Sequence, residues 1–304
     1  LISSDFSDRS DFFNEVFKNN STKNNNYSIK SMFYDSYLGR GSSGTVAIYL
    51  TPTNELAVVK NSVNESQNKY IKREHMHLEY LYNEGCTCSP KPYFGTDSYI
   101  TMEYLGEFTL ENFLITRRPS LDIRKKIVNS IIANVLEIHK LGVYHCDIKP
   151  SNIMVSSKDN STKLIDFAFS SKKRKKGSKF YAGSPEYMSF ENLGNWLMKL
   201  KKDNSISSEN IDVVYSDIYS LGAVILRVLY DIRPFINIDG LKNSLEKKED
   251  IYNLKKDESY LENFLNSNIK DRNIVTLFKN IFGPQDSRPS LEYIQSEFNK
   301  VKIS

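Results

Sequence analysis

Hydrophobic and polar positions follow two different patterns along the chain. In the first third, Val46–Leu50 and Leu56–Lys60 are short runs rich in β-branched residues, separated by a Thr-Pro-Thr-Asn turn. Such runs on either side of a turn predict an antiparallel hairpin. Residues 66–84 carry apolar positions at helical spacing, and Tyr99–Tyr104 returns to a strand-like pattern. A sheet with one helix is therefore predicted for this part of the chain.

After Gly106 the apolar positions recur mostly with the period of a helix. Ile123–Leu141 is a long amphipathic segment, and Ser216–Tyr230 is almost continuously apolar. Apolar residues on one face predict a helix packed on a core, whereas apolar residues all round predict a buried helix. The second part of the chain is expected to be mainly helical.

These patterns predict an α+β chain with two lobes. Residues 1–30, rich in Ser, Asn, Asp and Lys, are expected to form an N-terminal extension or linker. A strand-rich N-lobe is predicted over residues 31–105, followed by a mainly helical C-lobe over residues 106–304. The join is expected near Glu103 to Gly106.

Composition narrows the class of protein only slightly. Hydrophobic residues make up 39% of the 304 positions and charged residues 26%, as in an ordinary folded protein. A net charge of +4 is mild and does not call for nucleic acid as a partner. No apolar run approaches the roughly 18 residues of a membrane helix, so no transmembrane segment is predicted.

The three cysteines favour a reducing, intracellular compartment. Cys86, Cys88 and Cys146 are too few to indicate a disulfide framework. Cys86-Thr87-Cys88 could form half of a metal site, but no second cysteine pair is present to complete it. We therefore expect this tripeptide to be a surface loop.

One short segment carries most of the candidate chemistry. His145–Asn152 places an aspartate, a lysine and an asparagine close together, and Asp166-Phe167-Ala168 begins fourteen residues after Asn152. Phosphoryl transfer needs such parts: a group that orients a hydroxyl, a cation on the migrating phosphate, and oxygen ligands for Mg²⁺. This segment resembles the catalytic loop and metal loop of eukaryotic-type serine/threonine protein kinases. The resemblance implies a bilobal kinase fold.

The resemblance also implies a role for each polar residue of the two loops. Asp147 would orient the acceptor hydroxyl and receive its proton, and Lys149 would neutralise charge on the γ-phosphate. Asn152 and Asp166 would hold Mg²⁺, with Mn²⁺ as an alternative. A lysine two positions after the aspartate is typical of the serine/threonine class rather than the tyrosine class.

A glycine-rich segment precedes the predicted hairpin. Leu38–Val46 fits G-x-G-x-x-G-x-V, which lets backbone N–H groups approach phosphate, although such a pattern alone is a weak signal. Met102–Leu105 resembles the kinase hinge that contacts adenine. By the same resemblance, the ATP-binding residues are Gly39, Gly41, Ser42, Ser43, Gly44, Val46, Val58, Lys60, Met102, Glu103, Leu105 and Met154.

Lys60 ends a predicted strand and has two candidate partners on the helix that follows. In protein kinases such a lysine holds the α- and β-phosphates, and a helical glutamate pairs with it. Glu74 and Glu79 both lie on the predicted helix. Glu74 is favoured because Leu78 and Leu81 follow it at plus four and plus seven. Lys60 and Glu74 are therefore counted with Asp147 and Lys149 as catalytic residues.

Motifs of the predicted C-lobe extend the resemblance to about residues 35–300. Gly183–Glu191 resembles the end of a kinase activation segment and places Ser184 near the catalytic aspartate. Asp217 would tie down the catalytic loop, and Arg288 would pair with Glu191.

Two residues depart from the kinase pattern. Cys146 replaces the arginine before the catalytic aspartate, which defines a non-RD type. Because that arginine normally pairs with a phosphorylated activation segment, activity independent of such phosphorylation is expected. Ala168 replaces a glycine, and although alanine disfavours positive φ, we expect it to be tolerated.

Two other segments suggest contacts with partners. The basic run Lys172–Lys176 predicts some preference for acidic or phosphorylated protein substrates, although charge runs are usually solvated. Residues 192–212 form a longer insertion than the family norm. Trp196, Leu197 and Met198 within it would be exposed on an extra helix and contact a partner or a second copy, unless the segment is only a surface loop.

Two rival functions remain open from the sequence. A pseudokinase used as a binding module is disfavoured because every charged catalytic residue is present. A small-molecule kinase is disfavoured because the segment around Glu191 and its partner Arg288 are retained. The composition is compatible with a virus, a protist or a pathogen effector acting in the host cytosol, and does not separate them.

Overall fold

A computed structural model describes most of the chain after residue 32. The described residues are 33–41, 44–51, 53–172, 175–176, 183–202, 210–235 and 244–300. The predicted extension 1–30 lies outside them, as do Ser42, Ser43 and residues 203–209 of the predicted insertion. The chain divides into two compact units, the first running to Gly85 and including Ser89–Leu105, the second containing Cys86–Cys88 and everything from Gly106.

The first unit is an antiparallel sheet with one helix. Its strands are β1 (Phe33–Gly41), β2 (Gly44–Leu50), β3 (Leu56–Asn61), β4 (Pro92–Gly95) and β5 (Tyr99–Glu103), in the order β1-β2-β3-β5-β4. The predicted hairpin is confirmed, since Leu50 pairs with Leu56 and Val46 with Lys60. Gly44 is required where β2 begins, because a Cβ there would clash with the Asn61 carbonyl oxygen.

The helix of the first unit, α1 (Glu65–Asn83), follows β3. Ile71, Glu74, Leu78 and Leu81 are all buried, at the spacing of three and four residues that puts side chains on one face. The predicted helix 66–84 therefore differs from α1 by one residue at each end.

The second unit is mainly helical. Its helices are α2 (Leu110–Arg117), α3 (Leu121–Lys140), α4 (Phe190–Lys201), α5 (Val213–Tyr230), α6 (Ser244–Lys256), α7 (Glu258–Asn268), α8 (Arg272–Phe282) and α9 (Leu291–Lys300). Two short antiparallel pairs accompany them, β6 (Ile153–Val155) with β7 (Thr162–Leu164) and β8 (Lys175–Lys176) with β9 (Ile211–Asp212). The predicted α+β class, strand-rich and then helical, is confirmed.

Helix α5 forms the core of the second unit. It starts three residues before the predicted Ser216, because the Asp212 carboxylate caps it by accepting the Val214 N–H. Gly222 lets α8 come close, since a Cβ there would clash with Ile281. Among the described residues, α5 is the one helix with the length and composition to cross a membrane, but 78% of it is buried in the protein. Burial of this kind is also expected of a core helix.

The insertion contains the predicted extra helix, α4, but its apolar residues are covered. Leu197 is 1% exposed, and Trp196 is half-buried with the Lys248 ammonium 5.0 Å from its ring centroid. Gly194 lies against Tyr252 of α6. The prediction of an exposed apolar face around residues 196–198 was wrong, because the mainly polar helix α6 packs on it.

The Cys86-Thr87-Cys88 tripeptide was also predicted incorrectly. Both cysteines are buried and joined in a disulfide, so this is neither a surface loop nor a pair of free thiols. The Thr87 N–H donates to the Glu137 carboxylate at 3.2 Å, and the Cys88 carbonyl accepts the Leu164 N–H at 2.8 Å. These contacts hold the tripeptide against α3 and β7.

Candidate active site

A buried aspartate of α5 holds the loop that carries Asp147. Asp217 of α5 is fully buried, and its two carboxylate oxygens accept the N–H groups of His145 and Cys146, each at 2.8 Å. The His139 ring contacts the same carboxylate at 2.9 Å. Because the loop is fixed through its backbone N–H groups, the side chains of the loop itself stay available for chemistry. The expected tie between Asp217 and the catalytic loop is confirmed.

Asp147 lies at the centre of a cluster of donors. Its Oδ2 is 2.9 Å from the Lys149 ammonium and accepts a hydrogen bond from the Asn152 amide at 3.0 Å. The Ser184 hydroxyl donates to Oδ1 at 3.2 Å and accepts from Lys149 at 2.8 Å. Only 4% of Asp147 is exposed. The structure therefore brings Asp147, Lys149, Asn152 and Ser184 together.

Burial and charge act on Asp147 in opposite directions. Burial raises the pKa of its carboxyl above the ordinary value, while the Lys149 ammonium lowers the pKa and the Asp166 carboxylate raises it. The net effect is upward. A carboxylate with a raised pKa is a better proton acceptor, as a group that receives a proton from a hydroxyl needs to be.

Asp166 lies just beyond β7, beside the loop that carries Asn152. The Ile165 N–H donates to the Asn152 carbonyl oxygen at 2.9 Å, which joins the two segments. The His145 ring contacts the Ile165 carbonyl at 3.0 Å and packs on Phe167, with ring centroids 4.8 Å apart. An amide oxygen and a carboxylate are the hard oxygen ligands that Mg²⁺ prefers, so these residues fit such an ion.

Ala168, which replaces the glycine of the kinase pattern, causes no backbone strain. Asp166 has a positive φ of 64°, whereas Ala168 does not adopt positive φ and is buried within a 3₁₀ turn, Phe167–Phe169. No left-handed residue is needed at this position, so glycine is not required. The expectation that Ala168 is tolerated agrees with this geometry.

In the first unit, Lys60 pairs with Glu74. The ammonium lies 2.6 Å from the Glu74 carboxylate, and both side chains are buried, with 7% and 1% exposed. Glu79 is exposed instead and contacts His75 at 3.3 Å. Of the two glutamates weighed from the sequence, Glu74 is the partner of Lys60.

The other predicted ATP-binding residues are distributed over both units. In the first unit, Gly41 pairs with Gly44 where β1 and β2 meet, Val46 opposes Lys60, and Val58 opposes Met102. Gly39 lies on β1, and Glu103 ends β5 with its N–H donating to the Lys91 carbonyl at 2.9 Å. Leu105 is half-buried after β5, and Met154 lies on β6 of the second unit.

A buried ion pair closes the segment that contains Ser184. Both side chains of the pair, Glu191 and Arg288, are fully buried and form two hydrogen bonds, 2.6 and 2.9 Å long. Arg288 also donates to the carbonyl oxygens of Gly283 and Tyr215, each at 3.0 Å. The predicted pairing of Arg288 with Glu191 is confirmed.

Cys146 occupies a small apolar cluster rather than an open cation site. It is buried with Ile211 and Val213, and Tyr144 and Phe169 pack against this cluster. Cys146 has a φ of 64°, a conformation that few non-glycine residues adopt, and its N–H is held by Asp217. The side chain at this position therefore faces hydrophobic neighbours.

The two-residue strand β9 connects this cluster to the activation segment. It pairs with β8, so that Lys175 opposes Asp212 and Lys176 opposes Ile211. Gln285 also binds β9: its side-chain oxygen accepts the N–H of Asp212, the last residue of this strand, at 2.8 Å. Gln285 was not predicted from the sequence, because a single glutamine 73 residues from its partner forms no local pattern.

The sheet, the helical unit and the polar loop together define a kinase-like α+β fold. A family model described as the protein kinase domain matches residues 34–297, and the chain belongs to this family. The chain is 28% identical to Mitogen-activated protein kinase kinase 7 of Arabidopsis thaliana, over 70% of this chain and 68% of that protein. It is 26% identical to Mitogen-activated protein kinase kinase kinase dlk-1 of Caenorhabditis briggsae, over 88% of this chain and 28% of that protein.

The chain also resembles Serine/threonine-protein kinase KSP1 of Saccharomyces cerevisiae. The two are 29% identical over 46% of this chain, which corresponds to 13% of the yeast protein. This chain thus spans a small part of some of its relatives and more than two thirds of the Arabidopsis protein.

Proposed function

We propose that the chain is an ATP-dependent serine/threonine protein kinase, which transfers the γ-phosphate of ATP to hydroxyl groups of proteins. The observation that carries this proposal is the buried Asp147 carboxylate, with the Lys149 ammonium 2.9 Å away and the Ser184 hydroxyl bound to both. Several similar proteins are named as serine/threonine kinases, which supports the same substrate class.

Asp147 is proposed to act on the acceptor hydroxyl. A serine or threonine hydroxyl of the substrate donates to the carboxylate, which orients its oxygen toward the phosphorus and receives the proton as the new bond forms. Lys149 is held 2.9 Å from Asp147 and is proposed to stabilise negative charge on the phosphate. The side-chain amide of Asn152 donates to the carbonyl oxygen and to the carboxylate of Asp147, which keeps Asp147 in place.

Asn152 and Asp166 are proposed to hold the magnesium ion that accompanies ATP, which would neutralise phosphate charge. Lys60 is proposed to hold the α- and β-phosphates. Its pairing with Glu74 at 2.6 Å fixes the ammonium group in one position. The glycine-rich turn would approach the phosphates, and Met102, Glu103 and Leu105 would contact adenine.

Activity is proposed not to depend on phosphorylation of the activation segment. A phosphate held by the usual arginine would need a cation at position 146, where this chain has Cys146 in an apolar cluster. The pairing of β8 with β9 offers a different way to hold the segment. The test is to treat the purified protein with phosphatase; unchanged kinase activity supports the proposal, and a requirement for phosphate would contradict it.

The basic run Lys172–Lys176 is proposed to favour acidic substrates. Lys172 is exposed, and the run leads into β8 of the activation segment. A peptide library assayed with the wild-type chain and with a variant carrying glutamine at all five positions tests this. A loss of preference for Asp and Glu in the variant is expected, and equal preference would refute the idea.

The proposed function is tested by phosphotransfer itself. The purified chain and an Asp166→Asn control are incubated with Mg²⁺, labelled ATP and acidic and basic proteins, and phosphoserine and phosphothreonine are measured. Label that depends on Asp166 supports a protein kinase. ATP binding without transfer would favour a pseudokinase, and transfer only to metabolites would favour a small-molecule kinase.

The proposed reaction of the chain consumes ATP, which also favours a site of action inside a cell.

A further inference from the structure

A lysine near the end of α6 is buried, and no carboxylate pairs with it in the part of the chain that the structure describes. Lys255 is 5% exposed, and no carboxylate lies within ion-pair distance of its ammonium among the residues that the structure describes. Lysine is almost never fully buried unless it is paired, because removing an ammonium ion from water is costly. This burial therefore needs an explanation.

The ammonium of Lys255 contacts two aromatic rings. It lies 4.0 Å from the ring centroid of Phe235 and 4.7 Å from that of Tyr219, and 3.4 Å from the Tyr219 hydroxyl oxygen. Cation–π contacts of this kind partly replace the lost water. Burial nevertheless lowers the pKa of Lys255 well below its ordinary value, with Glu191 and Glu186 opposing the shift and Arg288 adding to it.

The remaining contact of Lys255 is with the segment beside the catalytic loop. Its ammonium donates to the Glu186 carbonyl oxygen at 3.0 Å, and the Ser220 hydroxyl of α5 donates to the next carbonyl, Tyr187, at 2.9 Å. Ser184, two residues before Glu186, is the residue that touches both Asp147 and Lys149. The short segment 183–188 is therefore tied to the catalytic loop at one end and to α5 and α6 at the other.

We infer that Lys255 is a positioning residue for the protein substrate: through the Glu186 carbonyl it holds segment 183–188 in the place where Ser184 meets Asp147 and Lys149. This inference rests on the proposed function. An apolar side chain would fill the same aromatic site at a lower desolvation cost, so stability alone does not account for a lysine here. The donor to Glu186 is what an apolar residue would lack.

The test compares Lys255→Met with Lys256→Met. Lys256 is the next residue of α6 and is exposed, with its ammonium 5.4 Å from the ring centroid of Tyr252. Loss of the hydrogen bond to the Glu186 carbonyl predicts that Lys255→Met lowers kcat/KM for a protein substrate about tenfold. The loss should come through KM for that substrate, while KM for ATP and the unfolding temperature stay close to those of the wild type. Lys256→Met should match the wild type in every respect.

Equal KM values for the protein substrate in the two variants would overturn the inference. If Lys255→Met showed no cooperative unfolding, the comparison would pass to Lys255→Leu, which is smaller and also lacks a hydrogen-bond donor. Failure of both variants to fold would make Lys255 a residue of the core and would also overturn it. If the wild type transferred no phosphate to protein, the proposed function itself would fail. A failure of the proposed function is therefore seen in the wild type, whereas a failure of the inference about Lys255 is seen only in its variants.

Discussion

The buried pair of Arg288 and Glu191 gives the sharpest prediction for stability. Replacing Arg288 with methionine keeps most of the volume of the side chain but leaves the Glu191 carboxylate without its two hydrogen bonds. Both side chains are fully buried, so water cannot take the place of the guanidinium. Removing one partner of a buried pair costs about 3–5 kcal/mol of unfolding free energy.

The structure indicates that the loss lies in the upper part of this range. Arg288 also donates to the Gly283 and Tyr215 carbonyl oxygens, which would be left unsatisfied. Each buried group without a partner costs about 1–3 kcal/mol. A double variant, Glu191→Met with Arg288→Met, removes the isolated charge and should recover much of the stability, but not the part due to the two carbonyls.

Urea denaturation followed by tryptophan fluorescence measures this loss directly. The single tryptophan of the chain, Trp196, lies on the same helix as Glu191 and reports on the second unit. The control is Lys279→Met, which removes a surface pair with Glu262 whose side chains are 42% and 51% exposed. Such exposed pairs contribute about 0–1 kcal/mol. If Arg288→Met cost no more than Lys279→Met, the argument from burial would be refuted.

Four further predictions concern the proposed catalytic residues and Cys146. Burial raises the pKa of Asp147, so its carboxylate should be protonated at a pH above the ordinary range of a carboxylate. As the pH is lowered through this interval, kcat/KM should fall because the proton acceptor is lost. The unfolding free energy should rise over the same interval, because the folded state binds the proton more tightly than the unfolded state does. Lys149→Met should move this acid limb to higher pH, and a pH profile with an unmoved limb would contradict the role of the ammonium. Lys60→Met should raise KM for ATP and lower the unfolding temperature, because the buried Glu74 carboxylate loses the ammonium 2.6 Å away; an unchanged KM would argue against phosphate binding by Lys60. Cys146→Arg should lower the unfolding free energy by more than about 1 kcal/mol, measured in urea, because a charge replaces a buried apolar contact; no loss would mean that the cluster accommodates a cation.

Much of the fold could be predicted because its signals are local. The hairpin of β2 and β3 and the helix α1 follow from periodicity within twenty residues, and they were placed within one or two residues of their observed ends. The pairs Lys60–Glu74 and Glu191–Arg288 join residues fourteen and 97 positions apart. These could be predicted only through the resemblance to protein kinases, which supplies the long-range pairing that one sequence lacks.

The prediction for residues 196–198 failed because it depends on a contact with a helix that is distant in the chain. Trp196 and Leu197 were expected to be exposed, because nothing nearby in the sequence covers them. Helix α6, which packs on α4, begins more than forty residues later and has a mainly polar sequence. Lys255 on that helix looks like an ordinary surface lysine for the same reason, and only its three-dimensional surroundings mark it as unusual.

The disulfide between Cys86 and Cys88 has a consequence for how the protein is handled. The ring that it closes contains only three residues. The entropy that a cross-link removes from the unfolded chain grows with the length of the closed loop, and for so short a loop it is on the order of 1–2 kcal/mol. The hydrogen bond from the Thr87 N–H to Glu137 and the one that the Cys88 carbonyl accepts from Leu164 do not involve the sulfur atoms and would remain after reduction. Purification with or without a thiol reagent should therefore give the same folded protein, and the reducing agent can be chosen to suit the assay.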